Sequence, residues 1–246
     1  MNILGHAYVA TEAVKGNRQL LILGSLLPES FPFVSGNPFG WEEIHEGGEV
    51  FLQFLKKKYF ENQDLALGMM THSAKFGADG WDKEIEKYVD AKKKKILEGI
   101  SVASGVNLKI AELRLHNFLW WGMDVWILRN YPDFVNEIIS AIKDVKMEEI
   151  SGLLAGCFNK NHSESKRTVE FLLKNVYQPQ DLNTIGGLAR IWRRQAAGLP
   201  EKDKVNPQKA TALFEEIYLM FQNQWSKIME EAIEMVKKNL KPFVLT

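Results

Sequence analysis

The sequence predicts a mostly or wholly α-helical protein, a multi-helix bundle, and three observations carry that reading. Apolar residues recur at steps of three and four almost throughout, and the strict alternation a sheet needs is hard to find. Apolar residues make up 46% of the chain and charged residues 25%, globular proportions that set disorder aside. The 246 residues lie at the upper end for one core, so a single helical domain over 1–246 or a fused helical pair is expected. The candidate chemistry falls in 1–130, with additional helices packed on it from 131–246.

The expected helices follow in order. Those near 5–15 and 18–28 are closed by Pro28 and the Gly/Pro-rich loop 30–40. Helices near 41–59, 63–77 and 82–101 come next, the second stopped at Gly77-Ala78. The stretch 107–130 is apolar almost all round and reads as a buried core helix, its most apolar part being shorter than the ~20 residues a membrane span needs. Tyr131-Pro132 ends it, and helices near 133–144, 147–157, 163–176 and 181–197 lead to Leu199-Pro200. The last helix, 207–240, has Asn206 as cap and Pro207 at the first helical position. Phe214, Tyr218, Phe221, Trp225, Ile228, Ala232 and Met235 form a narrow seam along it, expected as one rod ~50 Å long at 1.5 Å per residue. Packing of that seam within the chain is the favoured reading, and a homodimer through this helix is the alternative.

Composition bounds the function. The 31 basic and 31 acidic residues cancel, so no field for coating nucleic acid or steering to a membrane is expected, and no stable nucleic-acid partner. Cys157 is the only cysteine, which fits a reducing compartment. The opening Met1-Asn2-Ile3-Leu4-Gly5-His6 lacks the basic region of a secretory signal, and a cytoplasmic location is expected. The run Lys92 to Lys95 and the group Arg190, Arg193 and Arg194 around Trp192 read as solvated helix faces rather than phosphate sites.

Chemistry concentrates in the histidines. Of five, His6, His45, His72 and His116 fall on inward-facing helical positions, whereas His162 reads as part of a helix start. His72 shares a stripe with Leu65, Met69 and Phe76, and a helix break at Gly77-Ala78 could return Asp79 to it. Asp124 lies in the most apolar helix, where an ionised carboxylate needs a metal, an arginine or a buried histidine. Glu49 stands one turn beyond His45, and Gly47-Gly48 between them would let another helix come close. A lone inward histidine is ordinarily a hydrogen-bonded core residue. Four together, with Glu29, Glu49, Asp79 and Asp124 near them in sequence, match a divalent-metal site.

The order of these pieces resembles the zinc-dependent phospholipase C family, in the superfamily that includes single-strand nucleases. The resemblance covers about 120 residues and rests on His6 in Gly-His-Ala-Tyr-Val-Ala, on Leu23-Gly24-Ser25-Leu26-Leu27-Pro28-Glu29, and on His45. It continues through Leu67-Gly68-Met69-Met70-Thr71-His72 and His116 in Leu-His-Asn-Phe. It implies a phospholipase C/nuclease-like core holding one or two zinc ions through His6, Glu29, His45, His72, Asp79, His116 and Asp124. It further implies that Glu29 or Asp79 orients a water for attack on a phosphodiester, and that Phe31, Phe33, Trp120 and Trp121 hold a lipid chain or a base of a small-molecule or lipid substrate. The opening Met-Asn-x-Leu-x-His-x-Tyr-x-Ala also resembles the acyl carrier protein phosphodiesterases, a second metal-dependent hydrolase reading. A third reading is a non-catalytic helical interaction module whose Asp and His pairs are core hydrogen bonds.

Overall fold

Helical periodicity with few strand signals becomes an all-α fold: the computed structural model, which describes residues 2–29, 34–196 and 205–244, is 81% helical, and no strand occurs among the described residues. The helices run α1 (Ile3–Ala13), α2 (Arg18–Leu26), α3 (Trp41–Ile44), α4 (Gly48–Lys58), α5 (Gln63–His72), α6 (Asp82–Ile85), α7 (Lys93–Ser104), α8 (Leu108–Leu113) and α9 (Leu115–Asn130). They continue as α10 (Pro132–Lys143), α11 (Met147–Phe158), α12 (His162–Glu170), α13 (Ile185–Ala196), α14 (Pro207–Met220) and α15 (Trp225–Val244). The most extensive contact joins α2 to α5, with α1 lying against both. Helix α9 touches α1 on one side and α14 on the other, so it links the first half of the chain to the second. The buried apolar side chains form one hydrophobic cluster from Ile3 to Leu240. Among the described residues, no helix is long and apolar enough to cross a membrane.

Several expected helices are interrupted where backbone chemistry overrides periodicity. The stretch 41–59 breaks at His45 to Gly47, and a Cβ on Gly47 would lie 2.1 Å from the Glu43 carbonyl oxygen, so only glycine fits that bend. The stretch 63–77 ends at His72, and 82–101 starts as the single turn α6 before 3-10 turns lead into α7. The stretch 107–130 divides at Arg114 into α8 and α9. The C-terminal rod is also two helices. Tyr218 O accepts Trp225 Nε1 at 2.9 Å and Phe221 N at 3.3 Å, bonds of a turn that replace the one a continuing helix would take from residue 222. The seam itself is occupied within the chain, since Phe214, Phe221, Trp225, Ile228 and Ala232 are all buried in its own core. The Asn206 cap forms as expected, accepting from Lys209 N at 3.1 Å.

The two basic groups lie on largely exposed helix faces, as expected, and several of them also pair there. Lys93 pairs with Glu112 and Lys95 with Glu216, and Lys92 donates to the Met220 carbonyl. Arg190 and Arg194 both grip the buried Asp181, at 2.5 Å and 2.7 Å, so they neutralise a core carboxylate.

Candidate metal centre

The site is assembled from helix ends. Its first part is the start of α1, whose early backbone N–H groups have no partner within the helix. Asp124 supplies one from α9: its oxygens accept Gly5 N at 2.9 Å and Leu4 N at 3.3 Å. This corrects the expectation for Asp124. Its partners are neither a metal, an arginine nor a histidine but the positive end of a helix, and both oxygens are committed there. Burial pushes its carboxyl up to about 7, with the Gly5 and Leu4 amides pulling the other way. The role of Asp124 is to hold the turn that carries His6.

The second part comes from the α2–α5 contact. A Cβ on Gly24 would lie 2.1 Å from Leu65 O, and one on Gly68 2.4 Å from Leu21 O, so the two helices meet backbone to backbone. The close approach puts the end of α5 against the end of α2. His72 therefore donates Nδ1–H to the Ser25 carbonyl at 2.7 Å, since a carbonyl can only accept. That fixes the tautomer and leaves Nε2 pointing inward, 3.9 Å from Oε1 of Glu29 on the 3-10 turn Leu27–Glu29.

The third part is the pair His45 and Asp79. After His72 the chain turns tightly through 73–77, where a Cβ on Gly77 would stand 2.3 Å from the Thr71 carbonyl. The turn returns the chain to the site on the 3-10 segment Ala78–Trp81, which carries Asp79. Its Oδ2 lies 3.0 Å from His45 Nε2 and 3.5 Å from His72 Nε2, and its Oδ1 lies 3.3 Å from His6 Nε2. The His6 and His72 rings stack at 3.6 Å, and the His45 ring stands edge-on to His72 at 4.9 Å. Trp41 covers the outer face of His45 at 3.7 Å.

The charges are strongly coupled. Burial pushes Asp79 up, yet the positive charge of the N-terminal amino group, followed by His72, His6 and the hydrogen bond from His45, holds the carboxyl well below its usual range. Burial holds His6 and His72 below the ordinary imidazole value. It acts on His45 too, but hydrogen bonding and charge from Asp79 and Glu46 raise that ring. Glu29 is raised to about 7 by burial and by the neighbouring Asp79 charge. His6 is 1% exposed, and neither ring nitrogen makes a hydrogen bond; its Asp79 contact is close but misaligned. Such an orphaned imidazole is costly without a further partner.

Two sets of side chains are disposed to hold a metal ion, His6 with Glu29 and His72, and His45 with His72 and Asp79. His72 has one free nitrogen, so it can complete one set at a time. His116, in the first turn of α9, belongs to neither set. It lines a cleft of about 510 Å³ with Asp79, Gly80, Asp82 and Glu86. It also lines a smaller one of about 230 Å³ that reaches Glu29, Trp41 and His45. Burial lowers its pKa.

The remaining expectations separate further. Glu49 faces outward and pairs with Lys75 at 3.1 Å, because the break at His45 turns the following helix away from the site. Trp120 and Trp121 are fully buried and cannot line a substrate surface. Trp120 donates Nε1 to Asp82 at 2.5 Å, and Trp121 stacks on Phe214 at 5.2 Å inside the core. Phe31 and Phe33 lie outside the described residues. His162 contacts Glu148 and Ser151 on α11. Sequence reasoning missed Trp41, Glu46 and Asp82. Glu46 adjoins His45 and Asp82 follows Asp79 by three residues, but only the breaks in the expected helices turn those spacings into a shared site. No protein-family model, curated protein or solved structure matches the chain.

Proposed function

We propose that the chain is a metal-dependent phosphoester hydrolase of phospholipase C-like chemistry, with zinc as its ion. One observation carries the reading: three imidazole nitrogens gather within 3.5 Å of the Asp79 carboxylate, and one of these rings, the buried His6, lacks any hydrogen bond. Imidazole nitrogens with carboxylate oxygens form a donor set suited to zinc. His45 and His72 are also braced at Nδ1 by Glu46 and Ser25, which leaves Nε2 for the ion in the manner of metal-binding histidines. A bound zinc supplies Lewis acidity toward a phosphoryl oxygen and lowers the pKa of a bound water to about 7.

The protein's own groups divide the remaining work. Asp79, held ionised, is the ligand carboxylate. Glu29, raised to about 7, is the group whose Oε1 takes a proton from the attacking water at neutral pH. His116, kept neutral by burial, and the neighbouring Asn117 offer hydrogen bonds to substrate without adding charge. Among the described residues lining the two clefts none is lysine or arginine, whereas Glu29, Asp79, Asp82 and Glu86 are present. A polyanion would be repelled there, so a singly charged phosphodiester of a lipid or other small molecule is the favoured substrate over single-stranded nucleic acid.

Elemental analysis of protein purified without a metal-affinity tag, followed by hydrolysis assays on short-chain phosphatidyl esters, tests the reading. Bound zinc and a diesterase activity that a chelator removes and zinc restores are expected. Protein that takes up no divalent metal would sink it.

A further inference from the structure

Glu46 stands behind His45 and uses both carboxylate oxygens. Oε1 accepts from His45 Nδ1 at 2.8 Å and from Ala74 N at 2.9 Å, and Oε2 accepts from Lys75 N at 3.2 Å. Its side chain is 19% exposed, and of these bonds the one to His45 is partly buried while those to Ala74 and Lys75 lie at the surface. Ala74 and Lys75 open the turn that leads to Asp79, and on the far side His45 Nε2 meets Asp79 Oδ2 at 3.0 Å. The contacts close a ring: Glu46 to His45, His45 to Asp79, Asp79 along the turn to Ala74, and Ala74 back to Glu46. Two side chains from different segments are thereby set relative to each other by one carboxylate.

We propose that Glu46 is the positioning residue of the metal centre, keeping a proton on His45 Nδ1 so that Nε2 faces the ion and tying the Asp79 turn to that ring. The proposal rests on the metal reading above. It differs from a plain turn cap in that the His45 ring, and not only the 74–75 backbone, depends on Glu46. Glu49 is the internal control, since it bonds the same Lys75 through its side chain at the surface.

The test uses the full chain with Glu46→Gln, Glu46→Ala and Glu49→Gln. Zinc affinity is read by competition with a chromophoric chelator. In metal-free protein the His45 Nδ1 proton is followed by NMR, and the Ala74 and Lys75 amides by hydrogen exchange. Loss of such an outer-shell partner typically weakens binding about 10- to 100-fold, and that loss is expected for E46A, with E49Q unchanged. The Nδ1 proton should be protected in the parent chain and exposed in E46A, with faster exchange at 74 and 75. Faster exchange with zinc affinity and Nδ1 protection unchanged would reduce Glu46 to a turn cap and overturn the proposal. If the parent chain bound no zinc the hydrolase reading would fall, and the metal-free Nδ1 signal would decide Glu46 alone: persistence in E46A refutes the clamp, and loss supports it. Should E46A not fold, E46Q carries the same readouts. Its one oxygen can keep the His45 and Ala74 bonds but without the charge, and its NH2 group cannot accept from Lys75 N. Weaker zinc binding and faster exchange at 75 are therefore expected, and unchanged values would overturn the proposal.

Discussion

A carboxylate inside an apolar helix must be answered by donors, and Asp124 shows that the backbone of another helix can answer it. Its carboxyl titrates near 7 in the fold against 3.8 in an open chain, so between those values the folded state holds the extra proton. The contribution of Asp124 is therefore fully present below about pH 3.8 and lost as pH rises through about 7, with an upper limit on the order of 4 kcal/mol for such a shift. Asp124→Asn does not titrate, so its stability deficit relative to the parent chain should shrink as pH rises from 4 to 7 in urea unfolding. A deficit constant across that window would contradict the assignment. On the proposed hydrolase reading, His72→Ala removes the nitrogen common to both candidate ligand sets and should abolish zinc binding and hydrolysis. His162→Ala should leave both unchanged, as measured by metal content and assay on the same preparations.

Among the elements, the α2–α5 contact is the one on which the site most depends. Both glycines face a backbone carbonyl at a distance no Cβ tolerates, so Gly68→Ala must push the helices apart. A loss of about 1–3 kcal/mol is expected from such overpacking. Zinc affinity should fall with it, since His72 and Glu29 sit at the ends of the separated elements. Full stability with full zinc affinity would show that the helices have slack the contact does not suggest. At the C-terminus, the amides of 222 and 223 should exchange quickly while those within α14 and α15 stay protected. Uniform protection from 207 to 240 would restore the single rod. Element by element, the helical faces were readable because burial follows the 3.6-residue period, but the breaks were not. Gly47 and the 73–77 turn bend the chain through contacts with Glu43 and Thr71 backbone atoms that periodicity does not encode.

At the level of the whole molecule, residues from α1, the ends of α3 and α5 and two 3-10 turns must meet before any ion can bind, so binding and folding are linked. A ligand present at a thousand times its dissociation constant stabilises the fold by about 4 kcal/mol. For a chain of this length that corresponds to a rise in Tm on the order of 10 °C. Zinc should produce that rise, a chelator should reverse it, and His72→Ala should not show it in a thermal scan. A Tm indifferent to zinc in the parent chain would count against a site built from distant segments.

By itself the sequence determined the helical class, most helical faces and the short set of residues from which the centre is drawn. Each is a local property: periodicity, composition, or a polar group placed where an apolar one would be expected. Tertiary structure decided which of those residues share the centre. His6, His45 and His72 converge on Asp79, with Glu29 beside His72. His116 goes to the wall of the adjoining cleft, Asp124 to the start of α1 and Glu49 to the surface. The physical reason is that a side chain's inward direction follows from its own helix, whereas its neighbour depends on how closely two backbones approach and where each helix stops. Gly24 against Gly68, and the turn that brings Asp79 back, settle those distances only when the chain is folded.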